Sequence, residues 1–241
     1  MRMIEPEQFI TEVPDEVQVS VLPHLVAIYD DRANQIGTGF LTMWHGKQLL
    51  VTAKHCLYGH KFDENPAEKR VHLNGDLKPL GEIARSAFAS SPDALDVVVV
   101  HVEGFDQDRV LPYTALQFGV PAPGMVTIVG FLSRDFHRNQ ADATLRPKPF
   151  CYTNVKIDME KPELVGIKYT NRAITTTTGQ RDLSPTPRGL SGTAMLNTAA
   201  LLLGQIKVCG IFTDERLSEA HVFGTHVNAL ADPMESLLSG A

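Results

Sequence analysis

The segment 188-RGLSGTAML-196 places Ser191 between two glycines, just ahead of an apolar run. Glycine accepts backbone dihedrals that other residues avoid, so Gly189 and Gly192 are consistent with an ordinary turn. They are also consistent with chemistry, because a serine that attacks a carbonyl needs an exposed hydroxyl and backbone N–H groups near the developing oxyanion. Which interpretation holds depends on whether the rest of the chain supplies a base and an orienting acid.

The composition excludes several classes of protein. The 241 residues, 43% of them hydrophobic, suffice for one large all-β domain or two smaller lobes. The net charge of −6, with Lys and Arg scattered, predicts no nucleic-acid partner. Three cysteines without C-x-x-C spacing argue against a disulfide framework or structural zinc, so we expect no metal and no other cofactor.

The N-terminal residues and the apolar runs of the sequence indicate in which cellular compartment we expect the protein. Acidic residues and a proline stand near the N-terminus, where a secretory signal needs an apolar stretch. The longest apolar run, 194-AMLNTAALLLG-204, is short and interrupted by Asn197, so no membrane partner is expected. With the odd number of cysteines, these features predict a cytoplasmic protein.

Short apolar segments recur between turn signals along most of the chain. They are rich in Val, Ile, Thr and aromatic residues and too short for most helices, which predicts a β-barrel or sandwich. Examples are 25-LVAIYD-30, 48-QLLVTA-53, 97-VVVVHV-102, 125-MVTIVGF-131 and 206-IKVCGIFT-213. The clearest helical pattern is C-terminal, where Pro233 suits a first turn.

Candidates for the base and the acid lie upstream of the serine. His55 ends the strand-like run 51-VTAKHC-56, although a histidine in that position is more often structural. Asp96 directly precedes four valines, and a carboxylate that opens a buried strand is costly unless it is hydrogen-bonded. A histidine would serve that need. Asp93 is a competing acid, and we prefer Asp96 because it adjoins the valine run.

The order His55, Asp96, Ser191 distinguishes this chain from other serine hydrolases. It is the order of chymotrypsin, whereas subtilisin and the α/β-hydrolases order these residue types differently. Thr193 also excludes the G-x-S-x-G elbow. The sequence thus resembles the trypsin-like (chymotrypsin-fold) serine peptidases, in their bacterial-type branch. The segments that carry the resemblance are GTGFL at 37–41, VTAKHC at 51–56, LDVVVV at 95–100, GLSGT at 189–193 and VCGIFT at 208–213.

The resemblance implies an all-β fold of two packed six-stranded antiparallel β-barrels with a short C-terminal helix. We expect an N-terminal extension at 1–19 and a peptidase domain at 20–241. The first barrel is expected at about 20–115, the second at about 116–230 and the helix at 231–239.

The resemblance also implies roles for individual residues. Ser191 is the expected nucleophile of a serine endopeptidase that works through an acyl-enzyme, and His55 is its general base and acid. Asp96 fixes the imidazole, with Thr213 supporting that carboxylate. The backbone N–H groups of Gly189 and Ser191 form the expected oxyanion hole.

Three departures from the family pattern modify these expectations. The usual disulfide partner of Cys56 falls near Gly37, which predicts a free thiol. Leu190 replaces the aspartate that pairs with a newly cleaved N-terminus, and no I-V-G-G follows the start, so activation by N-terminal cleavage is not expected. The pocket then forms unaided or on binding a regulatory protein. Thr193 and Ala194 replace the usual Gly-Pro.

Specificity and activity leave alternatives open. The expected substrate is a protein or peptide, with the base of the primary pocket in 182–188 and its wall at Thr213, Asp214 and Glu215. The two acids would favour a basic side chain, or they are solvated loop acids beside Arg216. The alternatives to a peptidase are a latent or inactive trypsin-like binding module and an ester hydrolase that uses the same three residues.

Overall fold

The computed structural model describes residues 17–73, 76–85, 88–133, 149–169, 173–175, 181–183 and 186–239. Most of the expected N-terminal extension, residues 1–16, lies outside this set, as do residues 184 and 185 of the expected pocket base. The described residues form two β-sheet lobes and a C-terminal helix.

The first lobe is a seven-stranded antiparallel sheet. Its strands are β1 (Leu25–Tyr29), β2 (Gln35–Trp44), β3 (Lys47–Ala53), β4 (Arg70–Leu73), β5 (Asp76–Pro79), β6 (Ala89–Ser90) and β7 (Val97–Val102). They lie in the order β5-β4-β1-β2-β3-β7-β6. Ala84, beyond β5, forms an antiparallel bridge with Val102, which brings the segment after β5 beside β7. The sequence predicted six strands here; the segments β5 and β6, of four and two residues, are too short to show an apolar pattern in advance.

The second lobe is a closed six-stranded barrel in the order β10-β15-β14-β13-β8-β9. Its strands are β8 (Met125–Phe131), β9 (Pro149–Ile157), β10 (Leu164–Lys168), β13 (Ala194–Asn197), β14 (Val208–Arg216) and β15 (His221–His226). A separate pair, β11 (Ala173–Thr175) and β12 (Arg181–Leu183), forms a small two-stranded sheet. Closure leaves the barrel without open edges.

Helices are short. They are α1 (Lys54–Tyr58), α2 (Leu80–Ile83), α3 (Thr198–Leu201) and α4 (Ala231–Ser239). A π-helical turn spans Val17–Val21, and 3-10 turns span Leu22–His24, Pro66–Glu68, Asp93–Leu95, Gln107–Arg109, Tyr113–Ala115, Leu217–Glu219 and Val227–Leu230. Helix α4 is the short C-terminal helix expected from the sequence. Among the described residues, no helix has both the length and the apolar character needed to cross a membrane.

One apolar core joins the lobes. Phe40 and Val51 of the first sheet belong to the same buried cluster as Val129 and Ile211 of the barrel, and Met234 of α4 belongs to it as well. This shared burial stabilises the packing of one lobe on the other. The cleft described below is lined by residues of both lobes.

Candidate active site

His55 and Asp96 are paired in the first lobe. Strand β3 ends at Ala53, and α1 begins directly after it, so His55 stands at the end of a buried strand. The backbone N–H of His55 donates to Asp96 Oδ1 at 2.9 Å, and the ring Nδ1 lies 2.6 Å from Asp96 Oδ2. A carboxylate at that position favours the tautomer with the proton on Nδ1, which leaves Nε2 as an acceptor.

The environment of His55 favours its charged form. Burial alone lowers the pKa of His55, but the hydrogen bonds and charges of Asp96 and Cys56 oppose burial and raise that pKa to about 10. A histidine with this partner stabilises an imidazolium once it has accepted a proton.

The structure places Asp96, and not Asp93, against His55. Asp93 forms an ion pair with Lys54 Nζ, and its side chain is exposed. Asp96 has φ +51, a left-handed conformation that aspartate tolerates better than most residues. Its carbonyl accepts from the Lys54 N–H at 2.9 Å, which ties the start of α1 to the residue before β7.

The expected support of the aspartate by Thr213 is replaced by a different contact. Within the described residues no hydrogen bond joins the Thr213 side chain to Asp96, although Thr213 is buried and lines the cleft. Instead, the hydroxyl of Thr225 on β15 donates to the carbonyl of Leu95, the residue before Asp96. No motif marks Thr225 in the sequence, since only the pairing of β14 with β15 brings it there.

Ser191 lies in a turn that both flanking glycines make possible. Gly189 has φ +92 and Gly192 has φ +88. A Cβ on Gly189 would lie 2.6 Å from the Ser133 nitrogen, and a Cβ on Gly192 would overlap the Thr38 carbonyl oxygen. Any other residue at either position would therefore be both strained and crowded.

Two backbone N–H groups of this turn are available to a ligand. Within the described part of the chain, neither Gly189 nor Ser191 donates its N–H to another group, whereas the N–H of Leu190 donates to Pro187 at 3.1 Å and that of Gly192 to Phe212 at 2.7 Å. Thr193 fits the turn, since its N–H donates to the Leu190 carbonyl at 2.9 Å. Two such donors, one on Ser191 itself and one two residues before it, suit a developing oxyanion.

All the predicted site residues line one cleft between the lobes, with a volume of about 1310 Å³: His55, Asp96, Gly189, Ser191, Thr213, Asp214 and Glu215. In the described residues, no hydrogen bond joins the Ser191 hydroxyl to the His55 ring. Such contacts are commonly long before substrate binds.

The acids on the cleft wall lie close to basic side chains. Asp214 is exposed, and its Oδ1 accepts the Glu215 N–H at 2.7 Å. Burial raises the pKa of Glu215, while the nearby Arg188 acts to lower it and Asp214 to raise it. Arg216 lies over the Phe223 ring, 5.2 Å from its centroid. Both open interpretations of the acids remain consistent with this mixture of charges.

Two further side chains adjoin the site. Cys56 is a buried free thiol whose Sγ lies 3.4 Å from the Ser191 carbonyl oxygen, and a Cβ on Gly37 would overlap that sulfur. The exposed His60 ring stacks on His55, with 5.0 Å between centroids and 9° between planes. No motif marks His60, whose only signal in the sequence is its position five residues after His55.

Among the described residues, no three His, Cys, Asp or Glu side chains are grouped to hold a metal ion.

Comparison with known proteins gives structural matches only. No family model and no curated protein matches the sequence. The serine endoprotease from Yersinia pestis is 16% identical with a TM-score of 0.60, and the match covers 94% of this chain and 66% of that protein. A Glu endopeptidase is 13% identical with a TM-score of 0.53, and the match covers 93% of this chain and 94% of that one. At these identities the likeness concerns architecture alone, and the chain has the chymotrypsin-like fold of these endopeptidases.

Proposed function

We propose that this protein is a serine endopeptidase of the trypsin-like, bacterial-type branch that cleaves a protein or peptide substrate. The observation that carries the proposal is the Asp96 carboxylate, which binds both the backbone and the ring of His55 in a cleft that also contains Ser191. Within the residues that the structure describes, the N–H groups of Gly189 and Ser191 make no hydrogen bond, which adds support, as does the chymotrypsin-like fold.

The mechanism follows from these positions. Ser191 Oγ attacks the scissile carbonyl carbon while His55 Nε2 takes the hydroxyl proton. The carbonyl oxygen becomes an oxyanion, which the N–H groups of Gly189 and Ser191 stabilise. The C–N bond then breaks, and His55 gives its proton to the departing amine. Water, deprotonated by His55, attacks the acyl-enzyme, and the carboxylic acid leaves as Ser191 recovers its proton.

Fluorophosphonate labelling of the purified protein, followed by intact mass, tests the proposal. We expect one adduct on Ser191 that is absent from Ser191→Ala and His55→Ala. Ser236→Ala is the matched control, because Ser236 lies on the surface of α4, where its hydroxyl donates to the Pro233 carbonyl at 2.8 Å. A wild type that takes no label, or an adduct that survives Ser191→Ala, contradicts an activated Ser191.

A latent binding module is the second candidate. It is favoured by one observation, the lack of a hydrogen bond between Ser191 and His55 within the described residues. A regulatory protein would then have to bring the two side chains together. Labelling that begins only when such a partner is added favours this candidate over a peptidase active on its own.

Location in the cytoplasm is also a proposal. Its support is that Cys56, Cys151 and Cys209 are free cysteines, which are typical of a reducing compartment. Fluorescence microscopy of the tagged protein in its own cells, with a fractionation control, tests the location.

A further inference from the structure

We propose that the Thr38 hydroxyl holds the oxyanion loop, residues 188–191, in its substrate-ready conformation at rest. This inference rests on the proposed peptidase function. Thr38 is then a positioning residue, and neither chain cleavage nor a regulatory partner is needed to form the oxyanion hole.

Thr38 contacts the loop twice. Its Oγ1 donates to the Gly189 carbonyl at 2.7 Å, and its backbone N–H donates to the Ser191 carbonyl at 2.8 Å. Thr38 is fully buried on β2 of the first lobe, whereas the loop belongs to the second lobe. One residue of the first lobe thus fixes the peptide groups that follow Gly189 and Ser191.

The Thr38 hydroxyl is both a hydrogen-bond donor and an acceptor. Its oxygen also accepts from the Phe131 N–H at 3.2 Å, at the end of β8, and the Thr38 backbone carbonyl accepts from Thr52 Oγ1 at 2.9 Å. The hydroxyl therefore bridges two segments of the second lobe, β8 and the oxyanion loop. A buried hydroxyl with both a donor and an acceptor partner has one defined orientation.

The remaining carbonyls of the loop are also occupied. The Arg188 carbonyl accepts from Ser133 N–H at 3.0 Å, and the Leu190 carbonyl accepts from Thr193 N–H at 2.9 Å. The N–H on a trans peptide points away from its C=O, so these two bonds turn the N–H groups of Gly189 and Ser191 away from the protein interior. Because glycine rotates freely, Gly189 would let the first peptide turn over if the adjacent carbonyl were not held.

Leu190 supports the same arrangement. Its side chain is fully buried in the core of the barrel. Members of the trypsin-like family that are activated by N-terminal cleavage carry an aspartate at this position. Apolar burial and a threonine hydroxyl together provide the anchoring that a charge pair provides in cleavage-activated members. The loop is therefore fixed by contacts that exist as soon as the chain has folded.

The test compares Thr38→Val, which removes the hydroxyl at nearly constant shape, with Thr38→Ser, which keeps it. Thr42→Val is the matched control, because Thr42 is equally buried on β2 and its Oγ1 donates to a carbonyl remote from the cleft, that of Leu111, at 3.2 Å. The readouts are kcat and KM on a peptide ester, with the rate of fluorophosphonate labelling of Ser191.

We expect Thr38→Val to lower kcat by ~10²-fold with KM changed little, as for loss of an oxyanion donor. We expect Thr38→Ser and Thr42→Val to keep kcat within about threefold, and the wild type to label without a lag. Should Thr38→Val not fold, Thr38→Cys replaces it, because a thiol is a weaker donor, and an intermediate kcat is then expected.

A folded Thr38→Val or Thr38→Cys with wild-type kcat overturns the role of Thr38, as does equal loss in Thr42→Val. A lag in wild-type labelling that ends only after cleavage or partner addition overturns the substrate-ready resting loop. A wild type that never labels at Ser191 is the separate result that contradicts the peptidase function itself.

Discussion

The Asp96 carboxylate accepts two hydrogen bonds from His55, one from the backbone N–H at 2.9 Å and one from the ring Nδ1 at 2.6 Å. The first bond fixes the start of α1, and the second fixes the ring that α1 carries. The orientation of His55, the proposed base, therefore depends on the Asp96 side chain, so substitution of Asp96 tests that role directly.

Asp96→Asn should lower kcat by ~10⁴-fold with little change in fold, because an amide can hold His55 in the wrong tautomer. Steady-state kinetics on a peptide substrate measures the loss. Asp93→Asn is the control, since Asp93 pairs with Lys54 and not with His55. Equal losses in the two variants would mean that Asp96 has no special relation to the base.

The pH profile should be displaced to alkaline pH. The base must be neutral to accept the serine proton, and the Asp96 and Cys56 contacts outweigh burial to raise the pKa of His55 to about 10, so kcat/KM should rise with pH well above 6.5. In Asp96→Asn the rising limb should move to lower pH, because the hydrogen bond and the charge of Asp96, both of which raise the pKa of His55, are then lost. A limb that stays in place would show that another group titrates.

The same raised pKa predicts a change in stability with pH. A group with a higher pKa in the folded state stabilises the fold fully below its unfolded value of 6.5 and loses that contribution as pH rises toward about 10. Urea unfolding of the wild type and of His55→Gln should therefore differ in pH dependence across this window. Parallel curves for the two proteins would contradict the assignment.

Gly192→Ala should destabilise the fold by at least ~2 kcal/mol, because the residue would be both left-handed and crowded. Its φ is +88, and the new Cβ would lie 2.7 Å from the Ala53 nitrogen. Gly204→Ala is the matched control, with φ +72 and, among the described residues other than its chain neighbours, no atom within 4 Å of the new Cβ. Denaturant unfolding should give the larger loss for Gly192→Ala; a larger loss at Gly204 would refute crowding as the cause.

Gly37→Cys should form a disulfide with Cys56 under oxidising conditions. A Cβ on Gly37 would lie 3.1 Å from the Cys56 Cβ, and a small backbone shift reaches the ~3.8 Å typical of disulfides. Intact mass should show the loss of two hydrogens. Gly37→Cys combined with Cys56→Ser is the control, and an unchanged mass in the single variant would place the two positions further apart than described.

The features that could be predicted from the sequence are those that depend on a short stretch of neighbouring residues. The valine run after Asp96, the glycines around Ser191 and the terminal helix all appear as local signals, and their order along the chain indicated the fold. The sequence did not predict the seventh strand of the first sheet, the Thr225 contact or the Thr38 bridge. The two threonine contacts depend on partners far apart in the chain, such as Thr38 and Gly189, 151 residues apart, which no local pattern records. The strands β5 and β6 pair with nearby segments and were missed because they are short.

Under the proposed function, the hydrogen bonds of Thr38 make activity depend on how the two lobes pack against each other. The base and acid lie in the first lobe and the serine in the second, and the loop beside the serine is tied back to β2 of the first. A slight parting of the lobes would break these bonds while each sheet kept its own ladder of hydrogen bonds. We therefore expect the protein to lose activity before it unfolds. Loss of turnover should reveal separation of the lobes earlier than any spectroscopic sign of unfolding.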